Sequence, residues 1–278
     1  MTDQPGSDAR TPIKTQLAQQ LQDRLRKYRE QRDRLKACSQ SDPEAPAREK
    51  RQNREIVTAE IQTLTELWRE VMPYIRRIKT LAGDVLDHTR YSACYFLFGK
   101  VSNGLEAIFV LAQEGFHYEV MEIIRSNREA LDLIVLLLQE PPDSPLLKRW
   151  FEGEIIENAK ARDAFESIFA DTARAHNITL SPRALKSDIY SSLSRYSHVS
   201  FAALLDAYDV YRHDFDFDRV AGYHYVRGSS LPYLREEIRS ATLTLRFFYL
   251  SIPDVASYHA LFAISRKYGF DMPEDEKD

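Results

Sequence analysis

Cysteine and glycine are both scarce in this chain of 278 residues, which contains two cysteines and nine glycines. Cys38 and Cys94 lie far apart in the sequence, so they form neither a disulfide framework nor a metal-binding pair. This cysteine usage indicates a reducing compartment, and we expect a cytoplasmic protein. β-rich folds usually need many glycines in their tight turns, and this chain has few. The frequent Leu, Ala, Glu, Arg and Gln favour helices instead. The composition therefore predicts an all-α fold.

The chain also lacks a charge excess and a long uninterrupted apolar run. A net charge of −4 gives no overall attraction to nucleic acid. The polar N-terminus has no apolar segment of the kind found in signal peptides. The most apolar stretches, 91–112 and 118–138, are interrupted by charged residues such as Lys100 and Asp132, whereas a membrane span needs about 20 apolar residues with few charges. We therefore expect core helices and no contact with a membrane.

The common nucleotide-binding and catalytic motifs are missing as well. The sequence contains no phosphate-binding loop, no Gly-x-Gly-x-x-Gly turn, no Gly-x-Ser-x-Gly elbow and no Cys-x-x-Cys pair. This absence gives no support to an ATPase, a dinucleotide-binding enzyme or an α/β-hydrolase. We expect no cofactor and no metal site.

The N-terminal part of the chain has the pattern of two long helices. Residues 12–38 and 46–86 carry apolar side chains at steps of three and four, and the intervening residues 39–47 contain two prolines. The seam of the second helix is the more regular one: Val57, Ile61, Leu64, Trp68, Val71, Ile75, Ile78, Ala82 and Val85. Alternating steps of four and three over nine positions are typical of a coiled coil.

Two such helices joined by a short turn predict an antiparallel coiled-coil hairpin, an arm comprising residues 12–88. The first seam is shorter and includes Arg32, so the second helix has more apolar surface than the first helix can cover. That surface can cover the rest of the chain or pair with a second subunit. We expect a homodimer, or a partner protein, bound through this arm.

The remainder of the chain, residues 89–270, predicts a multi-helix bundle with one small β-hairpin insertion. Helices are expected at 92–113, 117–139, 146–176, 182–196, 201–213, 232–251 and 255–268. Strict alternation over 213–218, followed by a turn and 223–227, predicts the hairpin. Residues 1–11 predict a disordered tail, and residues 271–278 an acidic one.

Two groups of polar residues are candidates for a site. Arg125, Arg128, Glu129 and Asp132 share one face of an otherwise apolar helix, because they are spaced at three, four and seven residues. They form either a solvated face with a local Arg125–Glu129 pair or a polar cavity in which Arg125 binds an anion.

The second group is Tyr190, Ser194 and His198, which lie on one helix face if the helix continues through residue 196. Two hydroxyls and an imidazole on a core-facing helix need hydrogen-bond partners. They form either a satisfied polar network or a proton-transfer or phosphate-contacting site in which His198 titrates.

Two segments together resemble a family of bacterial helical proteins. These are GLEAIFVLAQEGFHYEVMEIIRSNREALDLIVLL, residues 104–137, and YSSLSRYSHVSFAAL, residues 190–204. The shared pattern is an Arg-x3-Glu helix followed by Tyr-x3-Ser-x3-His-x-Ser. Its positions here are Arg125, Glu129, Tyr190, Ser194, His198 and Ser200. The arrangement is similar to HEPN-type bundles, which serve in toxin–antitoxin and phage-defence systems, often as dimers.

The resemblance implies a HEPN-like, metal-independent ribonuclease in which Arg125 holds phosphate and His198 acts as acid or base, with RNA as the bound partner. Arg195 lies three residues before His198, whereas HEPN nucleases place their arginine five to seven residues before the histidine. The regular seam and the missing motifs favour a second function, a helical interaction module of a bacterial stress or phage-defence type system.

Overall fold

The structure, a computed structural model, describes residues 41–84, 87–162, 231–252 and 254–270, together with isolated positions between 19 and 37 and between 167 and 215. The described part is mostly helical, which confirms the all-α prediction. Its elements are α1 (Ala45–Ala82), α2 (Arg90–Gln113), α3 (His117–Leu138), α4 (Pro145–Phe151), β1 (Tyr208–Asp209), β2 (Asp214–Phe215), α5 (Leu231–Ser251) and α6 (Val255–Lys267).

Local sequence signals explain where these helices begin. The side chain of Thr89 caps α2 by accepting a hydrogen bond from the backbone N–H of Ser92. Ser144 caps α4 in the same way, and Pro145 fills its first turn. Hydroxyl side chains at this position satisfy backbone donors that have no partner within the helix. The predicted starts of α2, α3, α5 and α6 agree with the structure to within two residues.

Two glycines end helices earlier than the sequence pattern predicts. α1 ends at Ala82 and not at residue 86, because Gly83 adopts a φ of 68° that favours glycine. The predicted helix 146–176 is interrupted after Phe151, where Gly153 has a φ of 87°. Residues 154–157 are not helical, and a helix begins again at Asn158. In both places the apolar periodicity continues past the break, so periodicity alone does not reveal it.

The predicted β-hairpin is not supported in its predicted form. Asp214–Phe215 pairs antiparallel with Tyr208–Asp209, whereas the sequence pattern paired 213–218 with 223–227. Tyr208–Asp209 was expected to lie in a helix, but tyrosine and its neighbour Val210 are residue types that favour extended structure. Residues 223–227 lie outside the described residues.

The seam of α1 is buried within the chain itself. Eight of its nine predicted positions are at most 3% exposed: Val57, Ile61, Leu64, Trp68, Val71, Ile75, Ile78 and Ala82. The ninth, Val85, lies outside the described residues. α1 packs against α2, α5 and α6, and seven of these eight seam residues, all except Ala82, belong to the same hydrophobic core as residues of those helices. The seam is therefore occupied by the following helices, which leaves none of its described part for a second subunit.

Polar contacts within this core fix α1 against its neighbours. The indole N–H of Trp68 donates to the hydroxyl of Ser102 at 3.3 Å, and the hydroxyl of Tyr249 donates to the carbonyl of Tyr74 at 2.6 Å. α2 lies between α1 and α3, while α5 contacts α1, α2, α3 and α6. The helical state of the isolated positions between 19 and 37 is consistent with a first helix. Its antiparallel pairing with α1 stays a prediction.

Among the described helices, α2 is long and apolar enough to cross a membrane by length and composition, and 44% of its most apolar 18-residue window is buried inside the protein.

Candidate functional site

The first candidate group lies on α3, and the structure divides it in two. Arg125 and Glu129 are partly exposed and form an ion pair with Nε and Oε1 3.3 Å apart. Arg128 and Asp132 are buried, each 6% exposed. Three of the five predicted catalytic residues, Tyr190, Ser194 and His198, lie outside the described residues. The local Arg125–Glu129 pair is thus present, and its relation to His198 stays a prediction.

Arg128 is the centre of a buried polar cluster between α3 and α5. Its Nε donates to Oε2 of Glu237 at 2.5 Å, and its Nη2 donates to the backbone carbonyl of Glu236 at 2.7 Å. Its Nη1 donates to the hydroxyl of Ser240. The guanidinium therefore has three partners on α5, as a buried charge requires.

Glu237 is completely buried. Burial raises the pKa of its carboxyl group, while the charge of Arg128 acts in the opposite direction. Among the described residues its second oxygen, Oε1, has no hydrogen-bond partner. This carboxylate thus depends on Arg128 for its stabilisation in the core.

Lys100 extends the cluster from α3 to α2. The residue as a whole is exposed, but its ammonium group lies against α3, where it donates to Oδ1 of Asn127 at 3.3 Å. Burial lowers the pKa of Lys100, and the carboxylates of Glu237 and Glu129 oppose that shift. Lys100 therefore adds a second cation near these two acids.

Asn127 is completely buried and joins α3 to α2. Its Nδ2 donates to the carbonyl of Val101 at 3.4 Å. Gly104 makes room for it, because a Cβ at that position would collide with the Asn127 amide. The glycine is thus required by a close approach of two helices.

Chemically, the cluster is an alternation of positive and negative groups that joins three helices. Its exposed rim, Arg125 with Glu129 and Lys100, could contact an anion, and its interior is occupied by the Arg128–Glu237 ion pair. In the part of the chain that the structure describes, no group of three His, Cys, Asp or Glu residues could hold a metal ion.

Sequence patterns indicated the α3 residues of this cluster but missed Lys100, Asn127, Glu237 and Ser240. The available signal was Glu237 itself, since it shares the apolar stripe of Leu234 and Ala241 at steps of three and four. An acid on a core-facing stripe needs a buried cation, although the sequence does not indicate which cation that is.

A second feature of the structure is the outward face of α2. Phe96 is 48% exposed and Val110 is 61% exposed, in a helix that is apolar on most sides. Six exposed positions follow one line along this helix: Phe96, Lys100, Asn103, Ala107, Val110 and Glu114. Their steps are four, three, four, three and four, which is the spacing of a coiled-coil seam. We call these six residues the α2 seam.

The fold and these two features define the class of the protein as an all-α bundle whose described part contains a buried ion-pair cluster and an exposed, partly apolar seam on α2. No protein-family model, curated protein or solved structure matches the chain.

Proposed function

We propose that the chain is a helical interaction module that works as an oligomer in a bacterial stress or phage-defence type system in the cytoplasm. The observation that carries this proposal is the uncovered α2 seam, with Phe96 and Val110 exposed on an apolar helix. Exposed apolar side chains in a line are a common mark of a protein interface. The cellular setting comes from the sequence resemblance.

The state of the charged residues on α3 supports the same proposal. Each nitrogen of the Arg128 guanidinium donates a hydrogen bond to a group on α5, and Arg125 pairs with Glu129 on its own helix. Of the residues whose spacing suggested chemistry, Arg128 thus joins two helices of the bundle, and Arg125 forms a local pair on α3. This function requires no bound cofactor.

The position of the interface differs from the expectation based on the coiled-coil arm. The described seam of α1 is buried in the bundle, so a partner that binds through the arm would contact residues other than this seam. We keep two finer features as proposals, an antiparallel arm made by residues 12–38 with α1 and a small β insertion. Support comes from helical positions between 19 and 37 and from the short strand pair at Tyr208–Asp209.

The alternative function is a HEPN-like metal-independent ribonuclease, with Arg125 holding phosphate and His198 transferring protons. One observation favours it: Arg125 and Lys100 both lie near Glu129 at the partly exposed rim of the cluster. Two cations at a helix surface suit a phosphate ligand.

One experiment compares the two functions. A bacterial host expresses the wild type, Arg125→Ala, His198→Ala and the control Arg77→Ala, an exposed arginine on α1. Growth and total RNA are followed, and the mass of each purified protein is measured in solution. We expect equal growth and intact RNA in all four strains, and a mass of two or more chains. RNA cleavage that is lost in both Arg125→Ala and His198→Ala, together with a monomeric wild type, would overturn the interaction module.

A further inference from the structure

α1 carries a second line of residues, distinct from its buried seam. The line advances by steps of three and four residues, so its members share one face of the helix. It consists of Arg51, Arg54, Thr58, Gln62, Thr65, Arg69, Met72, Arg76 and Lys79. Seven of them are exposed, while Thr65 and Met72 are partly exposed. We call these nine residues the basic stripe.

All charges on the basic stripe are positive, although the chain as a whole has a net charge of −4. The glutamates of α1 lie off the stripe, at positions 49, 55, 60, 66 and 70. Among the described residues, Arg54 alone of these cations has an ion-pair partner, Glu114, at a long distance of 3.9 Å. The stripe is therefore an exposed strip of largely uncompensated positive charge, and such a surface attracts polyanions.

The uncharged members of the stripe favour a nucleic acid over an anionic membrane. Thr58 and Gln62 are exposed between the cations. Arginine, lysine, threonine and glutamine are side chains that contact phosphate and sugar in protein–DNA complexes. A membrane-binding helix needs an uncovered apolar face instead. The apolar seam of α1 is buried in the bundle, and none of the large hydrophobic side chains exposed in the described residues belongs to the stripe.

The positions of the cations favour a duplex. Arg51 and Arg54 form one pair, and Arg76 and Lys79 form a second pair near the other end of α1. Arg54 and Arg76 lie about 33 Å apart along the axis, at about 1.5 Å per residue. One turn of B-form DNA measures about 34–36 Å, after which a strand returns to the same side of the duplex. Both pairs can therefore contact one strand when α1 lies along the duplex axis.

We propose that the basic stripe binds the phosphate backbone of duplex DNA, with its two cation pairs on successive turns of one strand. This inference goes beyond the interaction module, because it names a second kind of partner and requires no oligomer. Contacts to the backbone carry no sequence information directly, so we expect binding without sequence preference.

Charge removal on the full chain tests the surface. Fluorescence anisotropy measures the dissociation constant of a labelled duplex of about 20 base pairs, two helical turns, at several salt concentrations. Each phosphate contact that is lost should reduce the slope of log K against log salt by about 0.9. The double variant Arg51→Gln, Arg76→Gln should thus lose a slope of about 2 and bind about tenfold or more weakly at low salt.

The matched control is the double variant Arg48→Gln, Arg77→Gln. It removes the same charge from exposed positions of α1 that lie off the stripe. Each of these arginines has a carboxylate partner, Asp42 and Asp254 respectively. We expect its dissociation constant to stay within about twofold of the wild type, because charges away from the contact are screened. Circular dichroism checks that both double variants are folded.

The length of the duplex tests the spacing independently. A duplex of about eight base pairs is shorter than one turn, so it reaches only one cation pair. Its salt slope should be about half that of the longer duplex. Equal slopes for the two lengths would overturn the contact on successive turns.

Other results would overturn the DNA surface as a whole. These are a wild type that binds no duplex at low salt, or an equal loss of binding in the stripe variant and its control. A stripe-dependent preference for single-stranded RNA, or for vesicles of phosphatidylcholine and phosphatidylglycerol, would assign the stripe to that partner instead. None of these outcomes changes the mass of the protein in solution, so the interaction module is judged separately.

Discussion

Asp254 is the residue that begins α6 and connects it to α1. Its Oδ1 accepts the backbone N–H of Ser257 at 3.1 Å, and its Oδ2 lies 3.0 Å from the guanidinium of Arg77. The backbone hydrogen bond from Ser257 is the main reason why the pKa of Asp254 is lowered, and the charge of Arg77 acts in the same direction. A carboxylate with this environment stabilises the fold more when it is ionised than when it is protonated.

We therefore expect a pH-dependent contribution from Asp254. Because its folded pKa lies below the unfolded value of about 3.9, its contribution is complete above that value and is lost as pH falls through the folded pKa. Asp254→Ala should lower the free energy of unfolding by about 1 kcal/mol at neutral pH, which is typical for a helix cap. Urea denaturation at neutral pH and at about pH 3 should show this difference shrinking with acid.

Asp254→Asn is the matched control for that experiment. Asparagine caps helices about as well as aspartate, and the pair with the half-exposed Arg77 contributes little. The asparagine variant should thus stay within about 0.5 kcal/mol of the wild type at neutral pH. An alanine variant as stable as the wild type at neutral pH would show that Asp254 does not act as the cap.

At the scale of helices, the Arg128–Glu237 pair joins α3 to α5 inside the core. Removing one partner leaves a buried charge without compensation, so Arg128→Met should cost about 3–5 kcal/mol of stability. The double variant Arg128→Met, Glu237→Leu removes both charges and should be more stable than Arg128→Met alone. Urea unfolding of the wild type, Arg128→Met, Glu237→Leu and the double variant gives the coupling energy of the pair.

Arg125→Met provides the comparison on the same helix. Arg125 pairs with Glu129 at a partly exposed position, so the same substitution should cost about 1 kcal/mol or less. Equal costs at positions 125 and 128 would contradict the view that burial makes the Arg128 pair indispensable.

The helices of this bundle could be predicted from sequence with greater success than their contacts. Apolar periodicity located α2, α3, α5 and α6, because this signal acts within a few neighbouring residues. The partner of the α1 seam could not be predicted, since an apolar stripe has the same pattern whether it covers its own chain or a second one. Its burial against α2, α5 and α6 is information that only the fold contains.

The candidate site shows the same difference between local contacts, which could be predicted, and long-range contacts, which could not. The spacing of Arg125 and Glu129 on one helix predicted their pair, which the structure contains. The partner of Arg128 lies 109 residues away on α5, and no local pattern connects the two. Long-range ion pairs depend on how helices cross, so the sequence indicates a buried charge without identifying the group that compensates it.

For the whole molecule, the continuous core implies that α1 is indispensable. Eight seam residues of α1 are buried against the following helices, and a buried large apolar side chain contributes about 1.5–3 kcal/mol. The seven large side chains among them contribute about 10–20 kcal/mol together, which is comparable with the usual total stability of a domain, about 5–15 kcal/mol. A chain that begins at Thr89 should therefore show no cooperative thermal transition by circular dichroism.

A chain that begins at Ser41 is the appropriate control, because it keeps α1 together with the Asp42–Arg48 ion pair that precedes it. We expect this shorter chain to unfold cooperatively, with the buried indole of Trp68 as a fluorescence probe of the core. Cooperative unfolding of the chain that begins at Thr89 would mean that the bundle is stable without α1, and residue 88 would then be a true domain boundary. Loss of the transition in that chain alone would instead place α1 within a single folding unit, with the α2 seam as the apolar surface that this unit leaves exposed.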